Sequence, residues 1–277
     1  MMLEPLSVEN KLRELEISVS HRCTLACHEC GFLVPAQPVP QHGAADVAIL
    51  DGLERLRRLG VHVERLVFVG GEPTMAPGVL REVAAYARVA VHIGEVEVVT
   101  NGLSPDRVDP LLLRLFDRLV ISNYAPESGL VELWKRWAAS AAPELVVVAR
   151  DQDAWDQWTG DATVGPDQAL ELWRGCWYRK HCVTLERGRI FSCSRIPKFG
   201  RDEEGLALSD STTVEGLREW LNADRALPSC ATCVPMMGLE SVPVAVQPDD
   251  RMAILLPRAI RILNQKLEEG RNAEVSQ

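Results

Sequence analysis

The chain has 277 residues, of which 47% are hydrophobic and 25% charged, and its net charge is −9. This length suits one large domain or a domain with an appendage, and the acidic balance argues against a nucleic-acid-binding surface. The N-terminal ten residues lack the apolar core of a secretory signal and no apolar run could span a bilayer, so the sequence predicts a cytoplasmic protein with neither a membrane nor a nucleic acid as partner.

Strands and helices are predicted to alternate along the first half of the chain. Predicted strands cover residues 15–20, 64–69, 95–99, 118–121 and 144–149, and predicted helices cover 46–59, 77–88, 105–116 and 127–141. The stretch 35–43 is rich in proline and glutamine and is predicted not to be helical. This alternation predicts an α/β fold, a partial parallel barrel of five strands and four helices. Its functional edge lies at the carboxyl ends of the strands, where each polar or glycine-rich motif falls.

The sequence changes character after residue 150. Residues 151–167 hold five aspartates and two tryptophans and predict a long loop at the functional edge. A β-hairpin turning at Gly188 is predicted over 183–192, a short helix over 214–222, and a final helix over 257–269 with a frayed tail behind it. These features divide the chain into 1–150, 151–256 and 257–277.

Eight cysteines fall into two groups. Cys23, Cys27 and Cys30 share one loop after the first strand, and the other five lie at positions 176, 182, 193, 230 and 233. In a reducing compartment such cysteines indicate metal binding or catalysis rather than disulfides. Three soft ligands in one loop suit iron–sulfur or zinc and leave a coordination position open, as catalysis requires. The alternatives are three unpaired thiols or half of a zinc site.

The three-cysteine loop, the strand order and Gly70-Gly71-Glu72-Pro73 together resemble the radical S-adenosylmethionine superfamily over about residues 15–150. The resemblance implies that Cys23, Cys27 and Cys30 ligate a 4Fe–4S cluster whose open iron binds S-adenosylmethionine. It implies cleavage of this cofactor to a 5′-deoxyadenosyl radical, which takes a hydrogen atom from the substrate.

The same resemblance assigns the cofactor contacts. Gly70, Gly71 and Glu72 would offer backbone groups to the methionine amine. Asn101, Ser122 and Asn123 would meet the carboxylate and ribose, with ordinary strand-end capping as the alternative for these three. Members often have an aromatic residue before the third cysteine, against adenine. Glu29 stands there in this chain, and Phe32 is the apolar substitute.

The later cysteines resemble the twitch domain of this superfamily. The resemblance implies a second, fully ligated 4Fe–4S cluster and a reductant of the flavodoxin or ferredoxin type. A zinc ribbon is the alternative, because four thiolates suit zinc equally well. The four ligands implied are Cys176, Cys193, Cys230 and Cys233.

The chain is also similar to the 2-deoxy-scyllo-inosamine dehydrogenase group of aminoglycoside biosynthesis, which implies an amino-sugar or aminocyclitol substrate. The loop 151–167 suits such a ligand, because its aspartates could pair with ammonium groups and its tryptophans could cover a sugar ring. A solvated acidic loop with buried tryptophans is the alternative. The residues concerned are Asp151, Asp153, Asp156, Asp161, Trp155 and Trp158.

Cys182 is left over once seven ligands are assigned, unless it replaces Cys176. One interpretation is a small buried hydrophobe. The other is a thiol that returns a hydrogen atom to a substrate radical from the opposite face, which makes the reaction an epimerisation. Oxidation to a ketone is the competing outcome, with Arg150 stabilising charge on the oxygen and the second cluster accepting the electron.

We favour the epimerase. A zinc-stabilised binding protein and a peptide-modifying radical enzyme are the rival classes, the latter disfavoured because the chain leaves no room for a leader-peptide-binding domain.

Overall fold

The structure, a computed structural model, describes residues 4–36 and 46–275. Its strands are β1 (Lys11–Ser20), β2 (His62–Gly70), β3 (Ile93–Thr100), β4 (Arg118–Ser122), β5 (Val146–Arg150), β6 (Ala154–Trp155), β7 (Thr184–Glu186), β8 (Arg189–Phe191), β9 (Leu206–Ala207) and β10 (Val242–Pro243). Its helices are α1 (Asp46–Arg58), α2 (Pro77–Val89), α3 (Pro110–Leu113), α4 (Leu130–Ala141), α5 (Pro166–Gly175), α6 (Trp177–His181), α7 (Val214–Asn222) and α8 (Arg251–Val275). None of the helices in these residues is long and apolar enough to cross a membrane.

The described strands form a mostly parallel sheet of eight, in the order β5-β4-β3-β2-β1-β7-β8-β9, and a separate pair of β6 with β10. Strands β1 to β5 run parallel, which confirms the predicted α/β fold class. The predicted hairpin is also confirmed as β7 and β8, which pair antiparallel. This hairpin continues the main sheet, because β7 pairs parallel to β1 through Glu16 with Thr184 and Ile17 with Leu185.

The main hydrophobic core draws on both halves of the chain. Leu15 and Ile17 of β1 are fully buried in it together with Leu185 and Ile190 of the hairpin. A smaller apolar cluster of Trp173, Phe191, Ile196 and Leu227 lies beside Cys193 and Cys230. One continuous core therefore spans the boundary predicted at residue 150.

Two predicted helices of the barrel are shorter than expected. The helix predicted over 105–116 is wrong: a 3-10 turn at Pro105–Arg107 is followed by the four-residue α3. Proline disfavours helical backbone in the residue before it, and Asp109 is extended and caps the Leu112 N–H at 2.9 Å. The helix predicted from residue 127 begins at Leu130, because Gly129 is left-handed with φ 71°.

The C-terminal prediction is wrong at both ends of its helix. Helix α8 starts six residues before Pro257, which lies inside it, and continues to Val275 where a frayed tail was expected. Proline costs a helix one hydrogen bond, but α8 packs on α4 with Ala259 and Leu263 fully buried, and this packing outweighs the loss. Of the predicted tail, residues 276–277 lie outside the described residues, as do residues 37–43 of the predicted loop. The first two residues of that predicted non-helical stretch, 35 and 36, lie in a 3-10 turn at Val34–Ala36.

A buried ion pair fastens the segment after Cys193 to the sheet. Lys198 donates to Glu186 and to Ser18 Oγ, the latter at 2.7 Å, and both charged side chains are 1% exposed. Glu186 also contacts His21 Nε2 at 3.2 Å, two residues before the first cysteine. Burial alone would raise the pKa of Glu186, but Lys198 and His21 outweigh it and hold the pKa at about 2. The carboxylate is therefore charged at neutral pH.

Candidate active site

A cavity of about 900 Å³ opens at the carboxyl ends of the parallel strands. Most of the residues singled out from the sequence line it: Cys23, Cys27, Cys30, Phe32, Gly70, Gly71, Glu72, Asn101, Ser122, Arg150 and Cys182. Asn123 and the other four cysteines of the second group, Cys176, Cys193, Cys230 and Cys233, do not line it. The strand-end rule thus brings the first cysteine loop and the glycine turn to one cavity, which Cys182, just before β7, also lines.

The first cysteine loop carries N–H donors directed at sulfur. Gln247 Nε2 lies 3.0 Å from Cys27 Sγ, and Cys23 Sγ lies 3.4 Å from the Leu25 N–H and 3.7 Å from Asn101 Nδ2. Burial raises the pKa of Cys23 to about 12 and that of Cys27 to about 11. These thiols would therefore ionise at neutral pH only with a cationic centre bound, and the N–H donors are placed to stabilise the resulting thiolates.

The glycine turn is pressed against the start of the cysteine loop. A Cβ on Gly70, where φ is +135°, would lie 2.2 Å from Ser20 O, and one on Gly71 would lie 2.4 Å from Arg22 O. The N–H groups of Gly71 and Glu72 donate to these same two carbonyls at 2.7 and 2.8 Å. An ammonium group donates hydrogen bonds, so a ligand amine at this turn would bind carbonyl oxygens.

The Glu72 side chain has a structural role that the sequence did not indicate. Its carboxylate is 1% exposed and accepts hydrogen bonds from the hydroxyls of Thr74 and Thr100, both at 2.7 Å, and from the Asn101 N–H at 2.9 Å. It therefore joins the ends of β2 and β3. Burial still raises the pKa of Glu72 above its ordinary value, although these bonds oppose the shift.

Of the remaining predicted cofactor contacts, Asn101 and Ser122 line the cavity and Asn123 does not. Asn101 donates to Thr24 Oγ1 at 3.1 Å, and Ser122 is buried on the cavity wall. Asn123 instead donates to Asp151 Oδ1 at 2.6 Å. Arg150 is exposed and pairs with Ser122 in the sheet register, which puts it on the wall of the cavity near its opening.

Glu29 holds the aspartate-rich loop onto the cysteine loop. Its carboxylate accepts hydrogen bonds from the N–H groups of Trp158 and Thr159, at 2.5 and 2.7 Å, and from the Thr159 hydroxyl at 2.5 Å. The Trp158 ring lies close over Gly31, where a Cβ would come within 3.2 Å of it. The residue that departs from the superfamily pattern is thus the anchor of this loop.

Part of the aspartate-rich loop faces the cavity. Asp151, Asp156, Trp155 and Trp158 line it, whereas Asp153 and Asp161 do not. The sequence did not point to further aromatic groups on the same wall, because each is a single residue in a segment without a recognisable motif. These are Tyr124, Trp177 and Tyr178.

The second group of cysteines gathers beside the smaller apolar cluster. Burial, together with the nearby Cys233 and Cys176, raises the pKa of Cys230 to about 11. Cys176 Sγ is 3.4 Å from the Arg179 N–H, and Cys233 Sγ is 3.6 Å from an Arg195 nitrogen. In the described residues, no group of three or more His, Cys, Asp or Glu side chains is placed so that it could hold a metal ion.

Cys182 lies between this group and the cavity. Its residue is 7% exposed, and burial, followed by Glu16 and Cys193, raises the pKa of its thiol well above the usual range. Cys176 raises the pKa of both Cys193 and Cys230, so its sulfur lies near these two cysteines. Cys182 lines the cavity, whereas Cys176 does not.

No protein-family model matches the chain. GTP 3′,8-cyclase of Moorella thermoacetica is 30% identical over 97 residues, which are 34% of this chain and 29% of that protein. Molybdenum cofactor biosynthesis protein 1 of Bos taurus is 32% identical over 100 residues, 35% of this chain and 15% of that protein. The match thus spans less than a third of the length of these relatives.

Two solved structures align with most of the chain at low identity. The first, anSMEcpe with bound AdoMet, has 13% identity and a TM-score of 0.47, and covers 93% of this chain and 97% of its own. The second, BtrN in complex with AdoMet and 2-DOIA, has 13% identity and a TM-score of 0.46, and covers 84% of this chain and 96% of its own.

The residues present fit the group that the superfamily binds. The first loop supplies three thiols with N–H donors at sulfur, and the glycine turn beside it is too close to the backbone of that loop to admit any side chain. Three cysteines would hold the cluster, namely Cys23, Cys27 and Cys30, and the turn 70–72 with Asn101 and Ser122 would border the cofactor.

Proposed function

We propose that this protein is a radical S-adenosylmethionine epimerase that inverts a hydroxyl-bearing carbon of an amino sugar or aminocyclitol. The observation that carries the proposal is the buried Cys182 thiol, which lines the same cavity as the first cysteine loop. When bound, the cluster and its cofactor supply a radical that removes a hydrogen atom from the substrate. A thiol S–H bond is weaker than a carbinol C–H bond, so Cys182 returns hydrogen to the carbon in a downhill step, and return from the opposite face inverts the centre.

The charge of the cavity supports a cationic substrate. Two of its arginines are engaged by glutamates of the inner strands, Arg118 with Glu97 at 2.8 Å and Arg65 with Glu95 at 2.6 Å. Asp151 and other acidic side chains also face the cavity, which leaves it with an excess of negative charge for an ammonium group.

Aromatic residues on the cavity wall also suit the ring of a sugar substrate. Trp155 and Trp177 offer flat apolar faces on the cavity wall, where they can lie against a sugar ring or over an ammonium group.

The proposal includes a second 4Fe–4S cluster held by Cys176, Cys193, Cys230 and Cys233. Arginine nitrogens beside these sulfurs match the negative charge that four thiolates bring. A one-electron carrier of the flavodoxin or ferredoxin type is the partner that supplies reducing equivalents.

A dehydrogenase is the second candidate function, and Arg150 is the observation that favours it. Arg150 lines the cavity, where its guanidinium would stabilise the oxyanion left when the hydroxyl proton passes to solvent, and the second cluster would accept the electron that ketone formation releases. The fate of the substrate radical separates the two functions.

The test uses reduced, cluster-loaded protein with S-adenosylmethionine and two probe substrates, 2-deoxy-scyllo-inosamine and neamine, in heavy water. An epimerase places one deuterium on the inverted carbon without net oxidation, because the thiol exchanges with solvent. Cys182→Ala should convert the product to a ketone, whereas Ser194→Ala, on the same wall, should still yield the epimer. Normal epimerisation by Cys182→Ala refutes the assignment of Cys182.

Iron analysis tests the two clusters separately. The loaded protein should be brown with about eight iron atoms per chain, and Cys193→Ala should retain about four. A colourless zinc protein would contradict both clusters.

A further inference from the structure

Glu16 is a buried carboxyl for which the proposed function has no use. It is 8% exposed, lies on β1 and lines the cavity. Its N–H donates to Val183 O at 2.8 Å and its partner in the sheet is Thr184, so the pairing of β1 with β7 brings it beside Cys182. Burial has the largest effect on the pKa of this carboxyl, and Ser194 and Cys182 lie close enough to oppose it. Among the described residues its Oε2 atom has no hydrogen-bond partner.

We infer that Glu16 is the proton donor that restores the Cys182 thiol after each turnover, an inference that rests on the proposed function. In hydrogen return the S–H bond of Cys182 breaks, a C–H bond forms on the substrate, and sulfur is left as a thiyl radical. A one-electron donor of the iron–sulfur or flavin class reduces this radical to a thiolate. The O–H bond of Glu16 then breaks as the S–H bond forms, and Glu16 recovers a proton from solvent in the cavity that it lines.

The surroundings of the pair make this transfer favourable. Burial raises the pKa of Glu16 to about 7, while the thiol ionises only far above neutral pH, so a proton passes downhill from carboxyl to thiolate. The other charged or titratable groups that face Glu16 are Glu14 on its own strand, Lys198 after β8, and Cys193. Without this transfer, the Cys182 thiolate and the Glu16 carboxylate would lie side by side as two negative charges in a poorly solvated site, which is unfavourable.

Turnover number tests this role in the loaded enzyme with the same two probes. Glu16→Gln keeps the size of the side chain but cannot deliver a carboxyl proton. With one equivalent of S-adenosylmethionine the variant should form epimer in near wild-type yield, because the first turnover uses a thiol that is already present. With excess cofactor and flavodoxin its rate should fall on the order of a hundredfold.

Glu14→Gln is the matched control. It removes a carboxylate from the same face of the same strand, two residues away, so the ratio of repeated to first turnovers should stay as in wild type. An unchanged ratio in Glu16→Gln overturns the inference, and so does loss of its first turnover, since that would mean that Glu16 serves the substrate. Ketone from the wild-type enzyme instead overturns the proposed function, so the two failures are distinguishable.

A second readout needs no substrate. In cluster-loaded protein the ligand cysteines are protected, and alkylation of Cys182 by iodoacetamide can be mapped by mass spectrometry. Removing the adjacent carboxylate should accelerate alkylation of Glu16→Gln about tenfold, as a thiol pKa lowered by one unit would. Glu14→Gln should change the rate less. Equal rates in wild type and Glu16→Gln would contradict the contact on which the inference depends.

Discussion

Replacing Lys198 by methionine tests how much the buried ion pair contributes to the fold. The change leaves the Glu186 carboxylate, which is 1% exposed, without its buried ammonium partner. The depression of the Glu186 pKa from 4.5 to about 2 corresponds to about 3 kcal/mol of folding free energy. Removing one partner of a buried pair typically costs about 3–5 kcal/mol, so we expect Lys198→Met to lose about 3 kcal/mol.

The assay is thermal unfolding of the cluster-loaded protein at neutral pH. A loss of this size lowers Tm by about 6–12 °C in a chain of this length. A carboxyl whose pKa is depressed on folding stabilises the protein above its unfolded pKa and loses that effect only as pH falls towards the folded value. The effect of the substitution should therefore be constant from about pH 6 to 8.

Lys135→Met is the control, because Lys135 forms an exposed ion pair with Glu132 at 2.7 Å, a type usually worth less than about 1 kcal/mol. If Lys198→Met unfolds at the temperature of this control, the reasoning about the buried pair is refuted. The double variant Lys198→Met with Glu186→Gln should recover part of the loss, because no buried charge is then left uncompensated.

The glycine turn and the Glu29 anchor give two further predictions. Gly71→Ala should abolish S-adenosylmethionine binding in equilibrium dialysis, since its Cβ would lie 2.4 Å from Arg22 O, whereas Gly78→Ala, with nothing within 4 Å, should bind as wild type does; equal binding by both would contradict the close-approach argument. Glu29→Ala removes three hydrogen bonds and should speed limited proteolysis within 151–165 about tenfold relative to Glu127→Ala, and identical digestion of the two variants would show that Glu29 does not hold the loop.

Local patterns were enough to predict the inner strands and the cavity edge. The runs that became β1 to β4 are mostly buried, as strands inside a parallel sheet are, whereas β5 at the edge is only half-buried or exposed. Because parallel strands end at one edge, the cysteine loop, the glycine turn and Arg150 could be placed around one cavity before their contacts were known.

What could not be predicted depends on contacts between distant residues. Glu29 binds the backbone of a segment 129 residues away, and no local pattern marks a glutamate for that role. In the sequence, Glu16 is one residue of a predicted strand. Its position near Cys182 follows only from the pairing of β7 with β1. Likewise Pro257 predicts a helix start, and only the packing of α8 against α4 shows why the helix begins earlier.

The place of β1 in the sheet has a consequence for the modularity of the protein. β1 lies between β2 and β7, so a fragment ending near residue 150 would expose its Glu16–Ile17 edge and uncover Leu15 and Ile17, which now pack in one core with Leu185 and Ile190. Unpaired strand edges invite aggregation. The barrel and the hairpin region are therefore unsuited to exchange as separate cassettes between related enzymes. A chimera should keep β1, β7 and the Lys198–Glu186 pair from one parent.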